Sequence, residues 1–170
     1  MAIAAPFLFA LNCLMSEPVP TLSQWLGGPE RLNALTRRFY EKVPADPVLA
    51  PVFAQMSPAH AAHVAAFLTE VLGGGPAYTQ SGGSHSVMIG RHLGRHLSEM
   101  QRRRWVALML ETVDEIGLPD DPEFRAALVG YLEWGTRLAV LNSQDGISAP
   151  DPASAMPLWN WGPPGGPYRP

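Results

Sequence analysis

The sequence predicts an all-α domain, and three observations predict it. Apolar residues recur at intervals of three and four through five stretches between residues 22 and 142. Two Ser/Thr-x-x-Gln capping boxes and two proline-led starts stand at the heads of those stretches. No run alternates branched or aromatic residues between turns, as a strand would.

Composition bounds the rest. A chain of 170 residues fits one domain with room for tails, and 46% hydrophobic with 16% charged residues is ordinary for a globular protein. A net charge of −3 gives no reason to expect nucleic acid or an anionic membrane as partner. The single cysteine, Cys13, excludes an internal disulfide framework and fits a reducing cytoplasm. The opening run MAIAAPFLFALNCL lacks a basic leader, is too short to span a bilayer and is interrupted by Pro6. It reads as an upstream start or an arm rather than a targeting segment.

Thr21-Leu-Ser-Gln24 is a capping box that opens a short helix carrying Leu22, Trp25 and Leu26. Gly27-Gly28-Pro29 ends it. The next helix runs from about Glu30 to Val43, with Leu32, Leu35, Phe39 and Val43 inward and Tyr40 beside them. Pro44, Pro47 and Pro51 then cut a corner holding Phe53. Ser57-Pro58 starts a helix that places His60, Val64, Phe67, Leu68 and Val71 on one face, before the glycines at 73 to 75. Residues 77 to 87 have no periodicity and read as a loop. Ser98-Glu-Met-Gln101 caps a helix to about Ile116, with Trp105, Leu108, Met109, Thr112 and Val113 as its stripe. Asp121-Pro122 starts the last helix, which ends near Ser143. The division is an arm (1–20), a helical domain (21–143) and a Pro/Gly-rich tail (144–170) read as an extended or disordered appendage, with Trp159 and Trp161 able to dock.

The chemistry lies mainly in the histidines: His60, His63, His85, His92 and His96. Each alone is more often a surface or core residue than a ligand. His92 and His96 stand four apart and would chelate a divalent cation if helical, but Leu-Gly-Arg between them lacks the glutamate of a metalloprotease. With one cysteine, a closed structural zinc site is disfavoured. There is no dinucleotide or phosphate-binding glycine loop, and Arg102-Arg103-Arg104 reads as a solvated face. A haem pocket asks for an axial imidazole, an apolar slot, a cation for the propionates and distal hydrogen-bond donors. Candidates for all four are present, and on spacing alone His92 and His96 are equal.

From Thr21 to Ser143 the chain resembles a group II truncated haemoglobin, a globin built as a two-over-two helical sandwich around haem. The resemblance is carried by Gly27-Gly28, FYEKVPADPVLAPVF at 39 to 53, FLTEVLGGGPAY at 67 to 78 and RHL at 91 to 93. It continues with a tryptophan thirteen residues after that histidine and LPDDPEFRAALVGYLEWGTRLAVLNS at 118 to 143. It implies haem b, with His92 as the proximal iron ligand. Tyr40 and Trp105 become ligand-facing distal donors, with His60 at the distal gate and a further donor. Phe53 is the aromatic wedge, Val64 lies over the pocket, Phe67 and Met109 line it, and Arg91 and Tyr78 reach the propionates.

The resemblance further implies binding of O₂ and other diatomic gases, NO and CO among them. Tight distal hydrogen bonding suits oxygen chemistry, NO or peroxide turnover, or redox sensing, with an unidentified reductase and a monomer or homodimer in the cytoplasm. The chain departs from the family where Gly94-Arg95-His96-Leu97 replaces a Pro-Phe-Pro-Ile-like run, which leaves His96 as a further contact for iron or a propionate. It departs again at the distal gate, where the family often has a small or apolar residue and His60 is able to ligate iron when no gas is bound. The competing classes are a haem-free helical interaction module and a divalent-metal protein.

Overall fold

The computed structural model describes residues 18–148 and 150–168, so most of the expected N-terminal arm lies outside the described residues. The described helices are α1 (Leu22–Trp25), α2 (Gly28–Lys42), α3 (His60–Val71), α4 (Ala77–Gln80), α5 (His85–Gly90), α6 (Glu99–Glu115) and α7 (Pro122–Asn142). A 3₁₀ turn at Val43–Ala45 follows α2, and no strand occurs among the described residues.

Both capping boxes form. Thr21 accepts from the Gln24 N–H and Ser98 from the Gln101 N–H, while each glutamine side chain reaches back to its cap. Asp121 accepts from the Phe124 N–H at the head of α7. Helix α2 packs on α3 and α6 on α7, with α2 also crossing α6, so two helix pairs enclose one core. Leu32, Leu35 and Phe39 of α2, Phe67 and Val71 of α3, Leu108, Met109 and Val113 of α6, and Phe124 and Leu128 of α7 are buried in it.

Three expectations are corrected. The segment 77 to 87 is not a plain loop. The Glu70 carboxylate accepts from the Tyr78 and Thr79 N–H groups at 3.0 and 2.9 Å, and Ser84 caps α5 by accepting from the Val87 N–H. Helices of four and six residues are too short to show a period, so only their caps could have marked them.

The three arginines are not one solvated face. Arg102 is 5% exposed and ties Glu99 to Glu133 across α6 and α7, and Arg104 joins Asp46 to Glu111. An arginine buries its stem freely when carboxylates meet its guanidinium. Only Arg103 stays on the exposed side.

The described tail is not free. It is extended, but the Trp159 backbone N–H donates to the Val71 carbonyl (2.8 Å) and its indole N–H to the Ala127 carbonyl (2.9 Å). Its ring packs on Tyr131 and Trp134, both at 5.7 Å. Trp161 is 6% exposed, donates to the Pro20 carbonyl and meets Trp25 edge-on. A proline-rich chain has little entropy left to lose, so two indoles suffice to hold it. Trp161→Ala should lower stability by about 2–4 kcal/mol, read as a lower urea midpoint at constant slope. An unchanged midpoint would mean that the docked indole contributes nothing.

Candidate functional site

Helix periodicity brings Phe39 and Tyr40 to the inner end of α2, where both are buried. Tyr40 is the centre of an aromatic cluster. Its ring meets Phe39 at 4.8 Å, Phe53 at 5.5 Å and His60 at 4.7 Å, each near edge-on. Its hydroxyl oxygen lies 3.0 Å from His60 Nε2. From α6, half-buried Trp105 packs on Phe39 at 5.1 Å. Burial pushes the Tyr40 phenol far above its ordinary range, against a smaller opposite pull from the Trp105 indole N–H, so the phenol stays neutral. The sequence-predicted distal residues Tyr40, Phe53, His60 and Trp105 are therefore together in space. Val64 and Met109 border the same core, Val64 half-buried and Met109 fully.

His92 sits in the turn just after α5, for which Arg91 is the C-cap. Its Nδ1 lies 3.0 Å from the Met88 carbonyl oxygen. A carbonyl only accepts, so Nδ1 carries the proton and Nε2 keeps a free lone pair. Burial holds the imidazole below its ordinary pKa, which keeps it neutral and able to ligate. The Met88 carbonyl is the functional group that sequence reasoning missed. Its signal was positional, since the histidine stands four residues after it.

His60 is also held below its ordinary pKa, first by burial and then by the basic groups near it, His63, His92, Arg95 and Arg91. The two imidazoles are thus within electrostatic reach of each other, one on the α3 side and one on the α5 side. Between the corner carrying Phe53 and the segment after His92 lies a cleft of about 270 Å³ lined by Pro51, Val52, Arg95, Leu97 and Gln101.

Tyr78 and Phe67 form a second edge-on pair at 5.3 Å. Burial raises the Tyr78 phenol against an opposing pull from Arg91, which puts these two expected propionate partners near one another. Gly83 is required there, because a Cβ would fall 2.5 Å from the Tyr78 ring. His96 does not share a helix with His92. Gly94 and His96 both take positive φ (66° and 49°), and the His96 ring is 57% exposed beside Asp145. The chelating pair expected if these residues were helical is therefore not formed. Among the described residues no group of three or more His, Cys, Asp or Glu is placed to hold a metal ion.

The model of the bacterial-like globins matches residues 21–134. The chain belongs to that family. Within it the chain is 36% identical over 110 residues to the group 2 truncated hemoglobin YjbI of Bacillus subtilis, covering 65% of this chain and 81% of the relative. The truncated oxygen-avid haemoglobin structure from Bacillus subtilis superposes with a TM-score of 0.63 at 32% identity, over 71% of this chain and 99% of that one. The group II truncated hemoglobin of Bacillus anthracis gives 0.65 at 26% identity, over 74% and 93%.

This globin is accordingly a group II truncated haemoglobin with the two-over-two helical fold, and haem is the cofactor its family binds. The residues present fit that group. An imidazole with a free Nε2, a separate cluster of aromatic rings whose polar atoms are neutral hydrogen-bonding groups, and the cation and hydroxyl of Arg91 and Tyr78 are the donor set that haem asks for. A free divalent cation would need several such ligands.

Proposed function

We propose that this globin holds haem b through His92 Nε2 and retains a diatomic gas, O₂ foremost with NO and CO as further ligands, in a pocket closed by Tyr40, Trp105 and His60. The observation that carries the reading is the hydrogen bond from His92 Nδ1 to the Met88 carbonyl, which selects the ligating tautomer and orients the ring. When bound, haem supplies the iron coordination site and the redox chemistry.

The chain's own residues do the rest. Phe53, Val64, Phe67 and Met109 exclude water from the slot, and Arg91 with Tyr78 offers a cation and a hydroxyl to the propionates. His60 stands at the gate. The Trp105 N–H and the Tyr40 hydroxyl are the distal hydrogen-bonding groups. A hydrogen bond to a charged acceptor contributes about 1.5–3 kcal/mol, roughly ten- to a hundredfold in ligand retention. Retention of that order suits oxygen chemistry, NO or peroxide turnover, or redox sensing better than delivery. Such chemistry requires an electron donor, which we assign to a separate reductase.

No described helix is long and apolar enough to cross a membrane, and we place the protein in the cytoplasm. Purified protein should be red, with a Soret band that shifts on reduction and on adding CO. A colourless preparation that does not take up hemin overturns the haem reading. Bound zinc or nickel without a Soret band would return the chain to the divalent-metal class.

A further inference from the structure

We infer that His60 is a positioning residue that draws the hydroxyl proton of Tyr40 to itself, withholding the phenol from a gas in the pocket and leaving Trp105 as the donor. The inference rests on the haem reading above and goes beyond it. There His60 is a gate and the Tyr40 hydroxyl is one of two groups bonding the gas, whereas here His60 acts through Tyr40 and takes that hydroxyl for itself.

The geometry carries it. Tyr40 OH and His60 Nε2 are 3.0 Å apart, across 20 residues of chain. The tyrosine cannot swing away, because Phe39 and Phe53 meet its ring at 4.8 and 5.5 Å. A phenol owns one proton and a neutral imidazole has one bare nitrogen, so the bond runs in one of two directions. Either Tyr40 donates to a bare Nε2, or an Nε2–H donates to Tyr40 and sends the phenol proton into the pocket.

Two features favour the first direction. Trp105 packs on Phe39, which in turn meets the Tyr40 ring, and its indole pulls the Tyr40 phenol down against burial, as a donor near the phenolic oxygen does. A second donor on that oxygen would compete with it, whereas Trp105 N–H to Tyr40 O–H to His60 Nε2 is a chain in which each bond polarises the next. The groups around His60 also disfavour the imidazolium, which would have to donate. These are His63 on its own helix, His92, Arg91 and Arg95 across from it, and the neutral Tyr40 beside it.

Gas entry then treats the two distal donors differently. Tyr40 can release the Trp105 N–H to the gas and keep its bond to His60. If Tyr40 turned its own proton to the gas, His60 Nε2 would be left half-buried without that partner, a costly exchange. His60 thus weakens gas retention, opposite in sign to a histidine that donates directly.

The test is stopped-flow O₂ dissociation from the ferrous holoprotein. His60→Leu should slow O₂ loss about tenfold by freeing the phenol proton. The same substitution on a Tyr40→Phe chain should change the rate by less than about twofold, since no phenol remains to be freed. Faster O₂ loss from His60→Leu, or an unchanged rate, overturns the proposal. So does the same slowing in the presence and absence of the Tyr40 hydroxyl. Long-range ¹H–¹⁵N spectra give a readout independent of gas binding and of the His60→Leu fold. In the haem-free chain His60 should carry its proton on Nδ1, and its Nε2 resonance should move in Tyr40→Phe. An Nε2–H tautomer overturns the proposal. Failure of the haem reading itself is seen separately, as a chain that takes up no hemin.

Discussion

Replacing His92 by glycine should leave a folded chain that no longer retains hemin, and added imidazole should restore it. The substitution removes an imidazole whose Nδ1 is anchored to the Met88 backbone carbonyl. Loss of a partner that only orients a metal-bound histidine costs about 10–100-fold in metal affinity, so loss of the ligand should cost roughly 100-fold or more. Fold loss does not confuse the result. His92 lies in the turn after α5 and is not among the residues that form the hydrophobic core, so helicity by circular dichroism should match the parent. Free imidazole would enter the gap left by the side chain and supply the missing nitrogen. Unchanged hemin retention with an unchanged Soret band would move the ligand elsewhere, to His60 or His96 first.

Trp105→Phe should speed O₂ dissociation by about ten- to a hundredfold, the worth of one hydrogen bond to an acceptor that gains negative charge. Phenylalanine keeps an aromatic ring against Phe39, where the indole now packs at 5.1 Å, and removes only the N–H and part of the ring volume. Residual packing loss should appear in the urea midpoint and not in the rate. CO, which gathers less negative charge than O₂, should respond less. An unchanged O₂ rate would take Trp105 out of the distal machinery. Together with the His60→Leu experiment this separates the two donors, since Trp105→Phe and His60→Leu should move the O₂ rate in opposite directions.

Much of this molecule was legible in the chain because its signals are local. Thr21 with Gln24, Ser98 with Gln101, and Asp121-Pro122 announce helices through bonds that span three residues, and the structure forms each of them. The stripes on α2, α3, α6 and α7 were likewise readable, since a helix returns to its face every three or four residues. The ordered motifs from Gly27-Gly28 to the last helix pointed to the globin family, and the family match over residues 21–134 agrees with them. They also named Tyr40, Phe53, His60 and Trp105 together before any contact was seen.

Other features needed the third dimension. Arg102 looked like one of three solvated arginines, and only the meeting of α6 with Glu133 of α7 buries it. That Trp159 and Trp161 could dock was readable, but not where, because they find their partners at Val71, Ala127 and Pro20, far off in sequence. Helices α4 and α5 escaped detection because four and six residues hold less than two turns of pattern.

By itself, the sequence determined helices α1, α2, α3, α6 and α7, the caps at Thr21, Ser98 and Asp121, the family and the grouping of Tyr40, Phe53, His60 and Trp105, because each is written in short-range spacing or in motif order. Only the tertiary structure decided the states of those residues. It placed the His92 proton on Nδ1 by setting that nitrogen against the Met88 carbonyl, and it took His96 out of the helix by giving it positive φ. It also closed the bond between Tyr40 and His60. A proton's position is set by what stands within 3 Å of it, and α2 meets α3 only when the chain has folded.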